Sequence, residues 1–169
     1  MKKRYYSFIF LTLFFLTGHA QEILFDDFYF EMDFSAAKKK LKSNQKKLNN
    51  VALGKGTVYV VRKRSLITQE NKLISLNLWS KKNLTIEETE KYLVTGRAFF
   101  ENKNYKIVYA QENWSNPLMV KKNLPCIRYV NPDKTIVVEF DPRGQGSIYN
   151  IFVTYYNYNW FLKKARGKE

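Results

Sequence analysis

The chain has 169 residues, and its 29 basic residues against 15 acidic ones give a formal charge of +14 at pH 7. Its length suits one domain, and an aromatic content of 17% excludes a largely disordered chain. A single cysteine, Cys126, excludes an internal disulfide and a cysteine-rich metal site, so we expect it to be a small residue within a sheet.

The first twenty residues have the pattern of a cleaved secretory signal. Basic residues at 2–4 precede the apolar run 8–16, and Gly18 and Ala20 are the small residues expected before a cleavage site. The run is too short to cross a bilayer comfortably, and no later segment approaches the required length of about 20 apolar residues. We therefore predict cleavage after Ala20 and a periplasmic or secreted protein without a transmembrane segment.

Cleavage at this point changes the chemistry available to the chain. It removes three basic residues and no acidic ones, leaving a net charge of +11, and it removes His19, the only histidine. A chain without histidine has no Ser-His-Asp triad, no imidazole base and none of the usual histidine-bearing zinc or copper sites. We therefore predict no catalytic residues, no metal site and no cofactor.

The chain is expected to comprise a signal peptide at 1–20, one α+β domain at 21–160 and a basic tail at 161–169. Apolar alternation and turn residues mark the extended segments of the domain. These are expected at 23–34, 57–67, 72–81, 105–113, 125–130, 135–140 and 147–156.

Two helices are expected between these segments. Ser35 is the predicted cap of a lysine-rich helix that ends near Asn49. Thr85 and Glu88 form a capping box, in which a hydroxyl and a carboxylate satisfy each other's backbone amides, and this predicts a helix to about Asn102.

The last three strands are joined by turns, so they form an antiparallel meander. The segment 131–134 is a turn, and 141–146 (DPRGQG) is a longer loop. The predicted fold is α+β, with a single antiparallel sheet of about five to six strands and two main helices packed on one face. This order of elements is similar to that of small exported α+β sandwich domains of the PsbP kind, a likeness that implies a fold but no functional residues.

Alternation in the meander divides the sheet into a core face and an outer face. On the outer face, pairing of Val130 with Thr135 places Cys126 opposite Glu139 and Arg128 diagonal to Glu139, where a salt bridge is expected. This outer face combines polar residues with exposed aromatic residues, and a sheet with a purely structural role does not require exposed aromatic residues.

The lysine-rich helix is the first candidate binding surface. Its like charges at i,i+4 repel one another, and an anionic partner would relieve that repulsion. A solvated helix face in a lysine-biased protein explains the same pattern. The candidate anion-binding residues are Lys38, Lys39, Lys42, Lys46 and Lys47.

The aromatic stretch 149–160 is the second candidate, because flat rings interleaved with asparagines suit the stacking of sugar rings. The alternative is that half of these rings belong to the core and the rest cover the end of the sheet. The candidate residues on this surface, including two tryptophans from other segments and an arginine of the sheet face, are Trp79, Trp114, Arg128, Phe152, Tyr156, Tyr158 and Trp160.

These observations favour an exported, non-catalytic binding module for an envelope glycan, an anionic lipid surface or an acidic protein; nucleic acid is not expected as a partner. One alternative is a protein-interaction or inhibitor module of the immunity type. Another is a histidine-free, carboxylate-dependent hydrolase, for which Glu139 is the only sheet-centred acid that the pattern identifies.

Overall fold

The computed structural model describes residues 21–116 and 125–167, so the predicted signal peptide lies outside the described residues. The strands are β1 (Ile23–Phe25), β2 (Phe28–Tyr29), β3 (Tyr59–Val60), β4 (Leu66–Gln69), β5 (Lys72–Ser80), β6 (Lys106–Ala110), β7 (Ile127–Val130), β8 (Ile136–Gln145) and β9 (Ile148–Asn157). The helices are α1 (Phe34–Ser43), α2 (Gln45–Leu48), α3 (Ile86–Glu101) and α4 (Tyr158–Arg166), with a short 3-10 turn at Lys63–Ser65.

The architecture is α+β with an antiparallel sheet, as predicted. Seven strands form the main sheet in the order β3-β5-β9-β8-β7-β6, with β4 also paired to β5, and β1 and β2 form a separate two-stranded sheet. The count exceeds the predicted five to six strands, and the described residues form four helices rather than two.

The extra strand arises because the predicted strand at 57–67 is broken in its middle. The backbone N–H of Arg62 donates to Ser65 Oγ at 2.9 Å, and the N–H of Ser65 donates to the Arg62 carbonyl at 2.8 Å. This tight turn separates β3 from β4, which pair with different parts of β5 at the edge of the sheet. The basic residues 62–64 lie in this turn, exposed and outside the strand pairing.

Residues 141–145 of the predicted loop are instead the second half of β8, which pairs with β9 over ten residues. The pairing of β7 with β8 ends at the Ile127–Phe140 pair, so Pro142 lies where β8 is an edge strand. A proline without an N–H is tolerated at such an edge. Gly146, with φ of +66°, makes the sharp turn into β9.

The N-terminal segment is less regular than the predicted extended run at 23–34. The chain turns at Asp26, whose φ of +50° lies in the left-handed region that aspartate tolerates, and β2 pairs back onto β1. The N-cap position of α1 is Asp33 rather than Ser35, without a side-chain capping hydrogen bond, and the predicted single helix is divided at Asn44 into α1 and α2.

The core lies between the inner face of the sheet and helix α3. The predicted capping box is confirmed: Thr85 Oγ1 accepts from the Glu88 amide at 3.2 Å, and Glu88 Oε2 accepts from the Thr85 amide at 3.1 Å. Phe100 of α3 stacks on Tyr129 of β7 with ring centroids 5.2 Å apart. Helices α1 and α2 add Ala37 and Leu48 to the same buried cluster.

The predicted salt bridge between Arg128 and Glu139 is present on the outer face, but β7 and β8 pair in a different register from the predicted one. Arg128 lies directly opposite Glu139, and Val130 opposite Val137 rather than Thr135. The reason is a longer turn, in which Asn131 Oδ1 accepts from the amides of both Thr135 and Ile136 at 2.8 Å and so delays the start of β8.

Replacement of Gly96 tests the contact between α3 and the sheet. A Cβ at this position would lie 2.6 Å from two ring carbons of the buried Phe140. We expect Gly96→Ala to lower the free energy of unfolding by about 1–2 kcal/mol, because an overpacking cost of about 1–3 kcal/mol exceeds the helix-propensity gain of up to about 1 kcal/mol.

Urea denaturation measures this change. Val94→Ala on the exposed side of the same helix is the control and should stay within about 0.5 kcal/mol of the original chain. A Gly96→Ala variant that is as stable as the control would contradict the close packing of α3 on β8.

Candidate functional site

A basic groove lies where helices α1 and α2 meet the turn between β3 and β4. It consists of two adjoining depressions of about 430 and 440 Å³, which share Arg62 and Lys63 in their walls. The cationic residues of the groove are Lys38, Lys42, Arg62, Lys63 and Arg64, and the apolar residues beneath them are Phe34, Leu41 and Val61.

The charges of this groove are not neutralised within the described part of the chain. None of its five cationic side chains makes a salt bridge to a described carboxylate, and all five are exposed. The Lys38 ammonium lies 4.7 Å from the centre of the Phe34 ring. An anion entering the groove therefore meets several cations without displacing an acidic partner.

The predicted lysine cluster contributes only in part to this groove. Lys38 and Lys42 line it, whereas Lys39 and Lys46 are exposed but do not line either depression. Lys47 instead forms a salt bridge with Asp26 Oδ1 at 2.5 Å, and the hydrogen bond with this carboxylate raises the pKa of Lys47.

The sequence pattern does not identify Arg62, Lys63 and Arg64 as candidate site residues, because it predicts them within the strand at 57–67. Their signal was present, since three consecutive cations do not fit the alternation of a half-buried strand. In the structure, the hydrogen-bonded turn at Ser65 brings all three to a depression that Phe34 of α1 also lines.

Arg64 connects the basic groove to the outer face of the sheet. Its guanidinium carbon lies 3.6 Å from the centre of the Trp79 ring, at a distance typical of cation–π contacts. Trp79 in turn contacts Phe152 with ring centroids 5.0 Å apart, and the Arg143 guanidinium covers Phe152 at 4.6 Å. Arginine side chains thus cover the two rings that a sugar would need to stack upon.

Helix α4 folds back over another part of the outer face. Trp160 stacks on Tyr156 with centroids 6.0 Å apart and planes 7° from parallel, and Phe161 contacts the same tyrosine at 5.4 Å. Arg128 lies 4.8 Å from the centre of the Phe161 ring. The predicted boundary between the domain and a tail at 161 therefore falls inside a packed helix.

The aromatic candidates do not form one exposed platform. Tyr158 begins α4, and its N–H donates to the Thr135 carbonyl at 2.8 Å. Trp114 lies apart from the outer face, in edge contact with Tyr149 and beside residues of α3. All six aromatic candidates are partly buried, namely Trp79, Trp114, Phe152, Tyr156, Tyr158 and Trp160.

Two carboxylates occupy neighbouring outward positions of β8, and each is bound by an arginine. Glu139 accepts from Arg128 Nη2 at 2.6 Å, and Asp141 accepts from Arg143 Nη2 at 2.6 Å. Asp141 was not identified from the sequence because Asp-Pro is typical of turns, which placed it in a loop. A second sheet-centred acid therefore accompanies Glu139.

Burial raises the pKa of Asp141 from 3.8 to about 6. The hydrogen bond and charge of Arg143 oppose this rise, and the charge of Glu139 adds to it. The Asp141 side chain is only 9% exposed, and its Oδ1 atom has no hydrogen-bond partner in the described structure.

Cys126 is 1% exposed, and burial raises the pKa of its thiol to about 12. The thiolate needed for nucleophilic chemistry or metal binding is therefore strongly disfavoured near neutral pH. This agrees with the predicted structural role of the residue.

Within 21–116 and 125–167, no three histidine, cysteine, aspartate or glutamate residues are arranged to hold a metal ion. The helices in these ranges are also too short or too polar to span a bilayer. The chain matches no protein family, no curated protein and no solved structure.

The raised pKa of Asp141 predicts a pH dependence of stability. Because the folded state binds this proton more tightly than the unfolded state, the free energy of unfolding falls as the pH rises from about 4 to about 6. The loss attributable to Asp141 is at most about 3 kcal/mol. We expect the Asp141→Asn variant not to show this loss, so its free energy of unfolding should rise relative to that of the original chain as the pH increases across this range.

Urea denaturation at about pH 4 and about pH 7 measures this difference. Asp133→Asn, in the exposed β7–β8 turn, controls for the loss of one negative charge. A stability difference between Asp141→Asn and the original chain that does not change with pH would contradict the assignment.

Proposed function

We propose that the protein is an exported, non-catalytic binding module that attaches to an anionic lipid surface through the basic groove. The observation that carries this proposal is the convergence of five cations from α1 and the β3–β4 turn, without carboxylate partners among the described residues. Each lysine or arginine near an anionic membrane contributes about 1 kcal/mol of attraction.

The apolar floor of the groove supports a lipid rather than a purely ionic partner. Phe34 and Leu41 are partly exposed between the cations, and Val61 lies beneath them. Long basic side chains extend to phosphate groups while apolar residues contact the acyl boundary. An acidic protein would satisfy the charges equally well but leaves this mixture of residue types without a specific explanation.

The geometry gives less support to the other candidate functions. Stacking on a glycan requires accessible rings, whereas Arg64 and Arg143 cover Trp79 and Phe152, and Trp160 covers Tyr156. A carboxylate-dependent hydrolase requires acids that are available to the substrate. Glu139 and Asp141 are instead engaged by arginines, so we interpret them as structural.

Vesicle binding tests the proposal. We expect the purified protein to sediment with vesicles of phosphatidylglycerol and phosphatidylcholine, but not with phosphatidylcholine alone. Binding should weaken as salt shortens the Debye length from about 10 Å at 0.1 M to about 3 Å at 1 M. The double variant Arg62→Gln, Lys63→Gln should bind about 30-fold more weakly, because two contributions of about 1 kcal/mol are lost.

The matched control is Lys91→Gln, Lys106→Gln, which removes the same charge from exposed positions on α3 and β6. It should bind nearly as well as the original chain. Equal weakening by the two double variants would show that net charge rather than the groove determines binding. Equal sedimentation with neutral vesicles would overturn the proposal.

A further inference from the structure

A separate cleft of about 560 Å³ opens between the N-terminal strand and the end of α3. Its walls come from β1, the segment 51–53, the C-terminal end of α3 and the β7–β8 turn, and Tyr155 of β9 lies among them. This volume falls within the range of about 300–1,000 Å³ that is typical of small-molecule sites.

The walls of the cleft are mainly apolar and aromatic. Phe25 contacts Tyr155 with ring centroids 5.1 Å apart, and Phe100 contacts Tyr105 at 5.0 Å. Phe99 and Leu53 add further apolar surface. The body of a ligand that fills this space must therefore be apolar.

The side-chain acceptors that line the cleft are engaged or buried, apart from the exposed Gln21. Asp26 Oδ1 accepts from Lys47, and Asp26 Oδ2 has no hydrogen-bond partner among the described residues but is too buried for a ligand to reach. Glu22 accepts from the side-chain amide of Asn157. Asn131 Oδ1 accepts from two backbone amides of the β7–β8 turn.

The donors of the cleft, in contrast, are available. Lys103 has no carboxylate partner among the described residues, and its ammonium lies 4.6 Å from the centre of the Phe99 ring. The hydroxyls of Tyr105 and Tyr155 make no hydrogen bond to a described residue and are not among the fully buried unpaired atoms. Burial raises the pKa of both phenols, which keeps them protonated as donors.

We propose that this cleft binds a long-chain carboxylate, with its apolar chain against the aromatic walls and its carboxylate at Lys103, Tyr105 and Tyr155. A ligand with an acceptor head group satisfies the free donors, whereas a donor head group finds the side-chain acceptors of the cleft engaged or buried, apart from the exposed Gln21. The site is independent of the basic groove, because none of its residues belongs to the groove.

Calorimetric titration with laurate below its micelle concentration tests this site. We expect one laurate per chain, with binding retained in high salt and in the Arg62→Gln, Lys63→Gln variant of the basic groove. Dodecylamine, which has the same chain and a cationic head group, should bind at least tenfold more weakly. These results distinguish the cleft from attraction to the basic surface.

Hydroxyl-deletion variants locate the head group. Tyr105→Phe and Tyr155→Phe should each weaken laurate binding by about tenfold or more, as expected for loss of a hydrogen bond to a charged group. Tyr109→Phe on β6, whose side chain does not line the cleft, is the matched control and should not change binding. Ala52→Phe places a ring in the cleft from an exposed position and should abolish binding without changing the unfolding transition.

Three outcomes would overturn the proposal: no laurate binding by the original chain, equal binding by the control and the two hydroxyl-deletion variants, or preference for dodecylamine. Binding of several laurates per chain that disappears in high salt would assign the interaction to the charged surface instead. Failure of the cleft to bind laurate leaves vesicle binding by the basic groove unaffected, so the two proposals are tested separately.

Discussion

The central position of β9 determines how the rest of the chain is arranged. This strand of ten residues pairs with β8 along its full length and with β5 over five residues, so both of its edges are paired over half of its course. Its alternation sends Val153 and Tyr155 into the core and Phe152 and Tyr156 to the outer face. A shift of one residue in either ladder would exchange these two sets, and burial of the core set fixes the register.

Much of this arrangement follows from local sequence signals. The capping box at Thr85 and the alternation in β8 and β9 identify α3, the meander and the two faces of the sheet, because these signals act between near neighbours. The break at Ser65 and the continuation of β8 through Pro142 were missed. Both depend on which strands pair: β3 and β4 pair with different parts of β5, and residues 141–145 pair with β9 across the turn at Gly146. Single-residue tendencies do not reveal such pairing.

The proposed binding surfaces also combine local and long-range information. Lysines on α1 are visible in the sequence, but Arg62–Arg64 join them only because the chain turns between two strands that share β5 as a partner. The covering of the aromatic residues by arginines is likewise a tertiary feature. The cleft beside Tyr155 is formed by five segments that are separated in the sequence, so no single motif predicts it.

The turn at Arg62–Ser65 also affects how copies of the chain meet one another. It interrupts the outer edge of the sheet, leaving β3 and β4 as strands of only two and four residues. Short edge strands flanked by cations are poor templates for pairing with another sheet, which protects against aggregation. Neutralising this turn would therefore affect the colloidal stability of the protein as well as the proposed attraction to an anionic surface.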